Sequence, residues 1–394
     1  MVNSMRILVL TFYFPPDFGA GAFRMGAFVR ELETQLPPDV EVDVVATAPN
    51  RYSSVSVESP AYERRGNINI YRVAVPGHQS GMADQSRAFA AFAYGAFRIT
   101  RGKRYDTVLA SSSRLFTAYL GALIARRSKA RLYLDLRDIF TDTIEDVLGS
   151  SPLRVLVPLF RAVERYTLAR AERVNLVSKG FQDHFERLDA AKDYRFFPNG
   201  IDEEFLQADF SKPSQDGPIR IMYAGNIGAG QGLHRIVPGL AAELGESYEL
   251  FMIGDGGTRK ELEQAVKRAG VRNVHIQNPV RRPELLELYR TADILFMHLD
   301  DQDAFAKVLP SKVFEYAATG KPILAGVRGY AAQFIRKEIP NAAVFPPCNV
   351  SEAVQAVKNL ELSTTHRGEF IAKYRRDKIV REFVADVLQF AKGN

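Results

Sequence analysis

The stretch Leu309-Pro-Ser-Lys-Val-Phe-Glu-Tyr-Ala-Ala-Thr-Gly-Lys-Pro-Ile323 places a hydroxyl, an ammonium and a carboxylate close together, on Ser311, Lys312 and Glu315. It lies between two apolar runs, Asp293-Ile-Leu-Phe-Met297 and Pro322-Ile-Leu-Ala325. The order reads strand, loop, helix, strand, with Ser311 at the helix start and Gly320 just past its end. Free N–H groups, a hydroxyl and an ammonium favour phosphate, while a fixed carboxylate accepts hydrogen bonds from a ribose diol. The arrangement suits a sugar nucleotide; taken alone, it also describes an ordinary capped surface helix.

Other strand ends add to it. Tyr223-Ala-Gly-Asn-Ile-Gly-Ala-Gly-Gln-Gly-Leu-His-Arg235 carries glycines at 225, 228, 230 and 232, with Asn226 and Gln231 between them. This loop opens a helix and forms a natural diphosphate cradle, yet it has neither the dinucleotide fingerprint nor the Gly-Lys-Ser/Thr of a Walker loop. Nicotinamide enzymes and P-loop kinases therefore drop down the list. Ile253-Gly-Asp-Gly-Gly257 brings Gly254 and Asp255 to the end of the next strand. In Phe12-Tyr-Phe-Pro-Pro-Asp-Phe-Gly-Ala-Gly-Ala-Phe-Arg24, the residues Gly19, Ala20 and Gly21 allow close backbone approach, and Arg24 adds charge on the first helical turn. Glycine-bearing strand ends converging on one crevice favour a phosphate-containing ligand over a purely structural role.

Candidate acids are sparser. Asp135-Leu-Arg-Asp-Ile-Phe-Thr-Asp142 sits at a strand end, where Arg137 and Asp138 face the crevice and Asp135 with Arg137 could be a structural ion pair. The six histidines show no metal-type pairing, and only His298 falls near a crevice. No metal site is expected.

The elements that position these residues alternate. Strands are expected at Arg6 to Phe12, Val40 to Ala46, Ile68 to Val73, Thr107 to Ala110, Ala130 to Leu136, Val174 to Ser178 and Tyr194 to Phe197, with helices at Gly21 to Leu36, Leu115 to Arg127 and Leu153 to Ala171. Turn-rich Ser211-Lys-Pro-Ser-Gln-Asp-Gly-Pro218 reads as a linker, after which strands and helices alternate again from Ile219 to Leu360, ahead of a charged, largely helical tail. Short apolar strands separated by helices imply parallel, doubly wound α/β sheets, two in succession, with ligand at the carboxyl ends of the strands.

Composition agrees. A length of 394 residues favours two domains, and 46% hydrophobic with 25% charged residues supplies two globular cores. No run approaches the ~20 apolar residues of a membrane span. The N-terminal apolar run is too short for a signal peptide, and the single cysteine, Cys348, excludes an internal disulfide, so a cytoplasmic protein is expected. The formal charge of +6 permits anionic partners, but no nucleic-acid-binding signature is present. Basic residues gather at Arg98 to Arg104, after the aromatic run Phe89 to Phe97, and along Leu153 to Arg173. Both could rest on an anionic membrane surface or be solvated helix faces.

Together these segments resemble the GT-B-fold glycosyltransferases, in particular the retaining family 4 and its branch that builds bacterial O-antigen and capsule sugars on lipid carriers. The resemblance runs through Pro15-Pro16, Gly19 and Arg24, Ala48-Pro-Asn-Arg-Tyr52, Glu164 to Ser178, Pro198-Asn-Gly-Ile-Asp202, Tyr223 to Gly228, Gly254-Asp-Gly256 and Leu309 to Tyr316. It implies two Rossmann-like domains facing across a cleft: an acceptor domain over 1–206, a linker over 207–218 and a donor domain over 219–376, with a helix at about 377–394 packing back on the first. The implied activity is metal-independent transfer of a hexosyl or N-acetylhexosaminyl group, without a cofactor. The donor is a nucleotide diphosphosugar, usually UDP-linked, and the acceptor a sugar or lipid-linked hydroxyl.

By this resemblance Glu315 holds the ribose, Ser311 and Lys312 lie beside the diphosphate, the 225–232 loop covers it, and the backbone near Val280 meets the base. Three departures mark the chain. Lys307 stands where the family usually has a glutamate, Asn226 and Gln231 where it has a basic pair, and Asp138 where it often has a histidine. Lys307 or Lys312 could supply the missing charge, and Asp138 is the expected acceptor-side contact. A non-catalytic nucleotide-sugar-binding subunit and a UDP-sugar 2-epimerase are the alternatives. The latter would act without an acceptor.

Overall fold

Short runs rich in Val, Ile and Leu form the buried strands, and segments with helical spacing cover them. The structure is a computed structural model that describes residues 4–17, 19–49, 59–77, 82–112, 115–139, 141, 155–211 and 217–393. Phe18, Arg51, Tyr52, Phe140, Asp142, Leu153, Arg154 and linker residues 212–216 lie outside the described residues. The chain divides into two compact units, Met1–Asn199 with Asp377–Asn394, and Gly200–Arg376.

The first unit is built on an eight-stranded sheet of order β3-β4-β2-β1-β5-β6-β7-β8. Its strands are β1 (Met5–Thr11), β2 (Val40–Thr47), β3 (Tyr62–Arg65), β4 (Ile68–Val73), β5 (Thr107–Ser112), β6 (Arg131–Leu136), β7 (Arg173–Leu176) and β8 (Asp193–Arg195). All neighbours pair in parallel except β3, which is antiparallel to β4. Strand β3 escapes the sequence reading because Tyr-Glu-Arg-Arg has no apolar face. It forms as an edge strand through the tight turn at Gly66, whose φ of 56° suits glycine. The aromatic run Phe89 to Phe97, given no element of its own in the sequence reading, lies within a helix, Met82–Thr100. The C-terminal helix Arg376–Ala391 supplies Val380, Phe383, Val384 and Val387 to the core of this unit, against Phe28 and Tyr133.

The second unit carries a wholly parallel six-stranded sheet of order β11-β10-β9-β12-β13-β14. The strands are β9 (Ile219–Ala224), β10 (Tyr248–Ile253), β11 (Val274–Gln277), β12 (Ile294–His298), β13 (Ile323–Gly326) and β14 (Ala342–Phe345). Successive residues of β9 point to opposite faces. Ile221 and Tyr223 join the core under helices Leu233–Leu244 and Val350–Lys358, while Met222 and Ala224 join the one under Lys312–Ala318 and Gly329–Glu338. Strand order reverses between β9 and β12, which makes their carboxyl ends the switch point where a doubly wound sheet takes ligand.

Residues 200–206 belong to this unit rather than to the first. Ile201 and Phe205 are buried in its core, and Ile201 exchanges backbone hydrogen bonds with Tyr374 and Arg376, at 2.8 and 2.9 Å. Their apolar side chains pack into this core, a fact the turn-rich residues after 210 conceal.

Candidate functional site

Beside the switch point, the carboxyl ends of β9 and β10 interlock. The Gly225 N–H donates to the Ile253 carbonyl at 2.8 Å, and the Ile227 N–H donates to the Asp255 carbonyl at 2.9 Å. Gly254 lies so close that a Cβ there would sit 1.7 Å from the Gly225 carbonyl oxygen. Its φ of 151° also disfavours any side chain. The Asp255 carboxylate is exposed and accepts the Gly256 N–H at 2.8 Å.

The rest of the glycine loop is closed by its own side chains. The Asn226 amide donates to Gln231 Oε1 at 2.8 Å, and the Gly228 N–H reaches the same oxygen at 3.2 Å. Gly232 has φ 57° and backs onto Asp300, which pairs with Arg235 at 2.5 Å. The neutral residues Asn226 and Gln231 therefore serve as the loop's internal brace.

His298 secures this loop from below, at the end of β12. The Cys348 N–H donates to its Nε2 at 2.9 Å, so Nδ1 carries the proton and donates to the Gln231 carbonyl at 2.6 Å. Burial pushes the imidazole down to about 4, which keeps it neutral in both roles. His298 is thus a latch, a role its position at a strand end alone does not reveal.

Lys312 and Glu315 occupy the short helix Lys312–Ala318, on one face because they are three residues apart. Lys312 Nζ lies against the Cα of Gly225, where a Cβ would meet it at 2.1 Å, and 5.5 Å from the centre of the Tyr223 ring. Ser311 stands at the expected helix start, but its hydroxyl makes no capping hydrogen bond. Lys307 ends the turn Asp303–Lys307 that leads to this helix, and Val280, after β11, is partly buried against the core beneath it.

Glu315 is half-buried and paired: the Arg282 guanidinium donates to its Oε1 at 3.1 Å. Arg282 also reaches Asp202 at 2.6 Å and Glu204 at 2.9 Å. Burial opposes its charge, but Glu315, Asp202 and Glu204 raise its pKa above the ordinary arginine value. The sequence reading misses Arg282. The one trace of it is the dipeptide Arg281-Arg282 before Pro283 at a helix start.

The first unit gathers its own candidates. Gly19 has φ 126° and begins the helix Ala20–Gln35, Ala20 is exposed, and the Arg137 guanidinium lies over Gly21. Asp138 accepts the Ile139 N–H at 2.9 Å. Arg24 is not a charge displayed on the first turn. It is buried, paired with Asp135 at 2.9 Å, and donates to the carbonyls of Phe197 and Pro198, both at 2.9 Å. Asp135 also accepts from Ser111 and Asn175. Burial alone would raise its pKa, but the Arg24 charge and these hydrogen bonds hold it below the usual carboxylate range. Arg24, rather than Arg137, is therefore the partner of Asp135, and its full set of contacts leaves it a structural part.

With this geometry in view, comparison with known proteins decides the family. A model of glycosyl transferases group 1 matches residues 205–377, and a model of a glycosyl transferase 4-like domain matches residues 25–200. The chain belongs to the GT-B glycosyltransferases of group 1 and family 4-like type. A colanic acid biosynthesis glycosyl transferase, WcaI, of Escherichia coli K12 is 25% identical over 97% of this chain and 100% of its own length. Among solved structures, Anabaena HepE in complex with UDP and glucose superposes with a TM-score of 0.65 at 15% identity, covering 98% of this chain and 99% of HepE. WaaG, involved in lipopolysaccharide biosynthesis, gives 0.62 at 15% identity, over 97% of this chain and 95% of WaaG. These structures share the fold, two Rossmann-like sheets.

Proposed function

We propose that this glycosyltransferase moves a sugar from a UDP-linked donor to an acceptor hydroxyl with retained anomeric configuration, in building a bacterial surface polysaccharide or glycolipid. One observation carries the reading: Lys312 Nζ lies against Gly225, where the strand ends of β9 and β10 meet, and Glu315 follows on the same helical face. A diphosphate on the 225–232 and 254–256 loops meets Lys312, and the ribose falls to Glu315. The donor class is supported by HepE, solved with UDP and glucose, and the setting by the naming of WcaI for colanic acid biosynthesis.

Breaking the anomeric bond leaves negative charge on the diphosphate. Lys312 and the loop N–H groups offset that charge without a metal or cofactor, and the departing phosphate oxygen takes the acceptor proton on the same face. Preorganised donors of this kind contribute ~3–4 kcal/mol each. Arg137 and Asp138 are the acceptor-side residues, and Lys307 is a second cation for the donor. On the first unit, exposed Val155, Leu156 and Leu159 adjoin the Phe116–Phe160 ring pair and exposed Arg161 and Arg165. This segment is suited to rest on the anionic inner surface of a membrane. Lys103 is not part of it, because it turns inward to Asp43 at 2.8 Å. Among the described residues no helix is long and apolar enough to cross a membrane.

The test is transfer from a panel of UDP-sugars to lipid-linked acceptors, with EDTA present and the product anomer read by NMR. Lys312→Ala and Glu315→Ala are each expected to lower kcat/KM by about 10²-fold or more while staying folded. Wild-type rates in both would sink the site. An epimerised sugar formed without acceptor would favour an epimerase, and UDP binding with no transfer would favour a non-catalytic subunit.

A further inference from the structure

Arg282 is held on several sides next to Glu315. Its three nitrogens donate to three different carboxylates: Nη1 to Glu315 at 3.1 Å, Nη2 to Asp202 at 2.6 Å and Nε to Glu204 at 2.9 Å. Its face lies 4.6 Å from the centre of the Phe205 ring. Asp202 is itself held by Arg376, with Nε 2.5 Å from Oδ1. A planar guanidinium gripped along every edge and on one face cannot turn without breaking several charge-assisted bonds. The position of Glu315 Oε1 is therefore set from outside its own helix.

We propose that Arg282 is a positioning residue for nucleotide recognition, fixing the Glu315 carboxylate in the orientation that accepts the ribose 2′- and 3′-hydroxyls. This rests on the reading that Glu315 takes the ribose. A carboxylate has about four lone-pair sites, so a single bond from Arg282 leaves enough for a diol. Without Arg282, Glu315 could rotate freely, and its charge would stand one helical turn from Lys312, where the diphosphate is proposed to lie. Arginine suits the task better than lysine, since only a rigid fork reaches three carboxylates in fixed directions.

The discriminating probe is the nucleotide with one hydroxyl removed. Binding of UDP and of 2′-deoxy-UDP is measured by titration calorimetry on the full-length wild type, Glu315→Gln, Arg282→Gln, Arg282→Lys and the Arg282→Gln/Glu315→Gln double variant. The wild type is expected to prefer UDP by about tenfold, the scale of one hydrogen bond to a charged group. Glu315→Gln and Arg282→Gln should each reduce that preference toward unity, and the double variant should lose no more than either single one. Arg282→Lys should restore only part, and it carries the test if Arg282→Gln does not fold. A weakened grip on both nucleotides with the tenfold ratio intact in the Arg282 variants would overturn the positioning role, while loss in Glu315→Gln alone would still uphold the ribose site. A ratio unchanged in Glu315→Gln would sink both.

Discussion

Glycines at strand ends are here a matter of clearance. Gly254 leaves no room for a methyl group against the Gly225 carbonyl, and its backbone occupies a region that side chains avoid. Gly254→Ala is expected to force the two loops apart, lowering Tm by several degrees and UDP affinity by at least about tenfold; thermal denaturation with and without UDP reads both effects. His298 gives a pH signature. Its folded value of about 4 lies below the 6.5 of an unfolded histidine, so between these values the unfolded chain binds the extra proton. The contribution is complete above about pH 6.5 and is lost as pH falls toward 4. Urea unfolding should therefore show stability falling less steeply across that window in His298→Gln than in the wild type. Equal slopes would show that the imidazole titrates normally.

At the level of elements, the helix Arg376–Ala391 matters most, because it lies at the end of the chain yet forms the interior of the first unit. Phe383 is about 1% exposed and packs against the rings of Phe28, Tyr133 and Phe197. Phe383→Ala is expected to destabilise that unit by about 3–5 kcal/mol, measured by chemical denaturation. Both sheets were legible because each buried strand is a short apolar run bounded by turn formers. Strand β3 was not, since an edge strand with polar residues is specified by its hairpin partner rather than by its own pattern. The brace between Asn226 and Gln231 was equally hidden, because two neutral amides predict no partner from sequence alone.

For the whole molecule, the division of cores makes a definite forecast. Every residue in the two cores of the second unit comes from within 200–376, whereas the first unit draws on residues beyond 376. A fragment of residues 200–376 is expected to fold alone and bind UDP, gaining about 2.7 kcal/mol of stability at 100 times its Kd. Residues 1–199 are expected to stay unfolded until 377–394 are supplied. Circular dichroism and calorimetry on both fragments check this, and an unfolded 200–376 would count against the independence of its core.

The amino-acid sequence by itself determined the doubly wound architecture, the glycine-bearing strand ends and the placing of Ser311, Lys312 and Glu315 at one helix start. Each of these follows from local periodicity and turn chemistry, which act over a few residues. Only the tertiary structure decided that Arg24 is buried against Asp135, that His298 latches the loop and that Arg282 grips Glu315. Those pairings join residues tens to more than a hundred positions apart. A charge's partner depends on which chains are packed beside it, and the linear pattern does not record that.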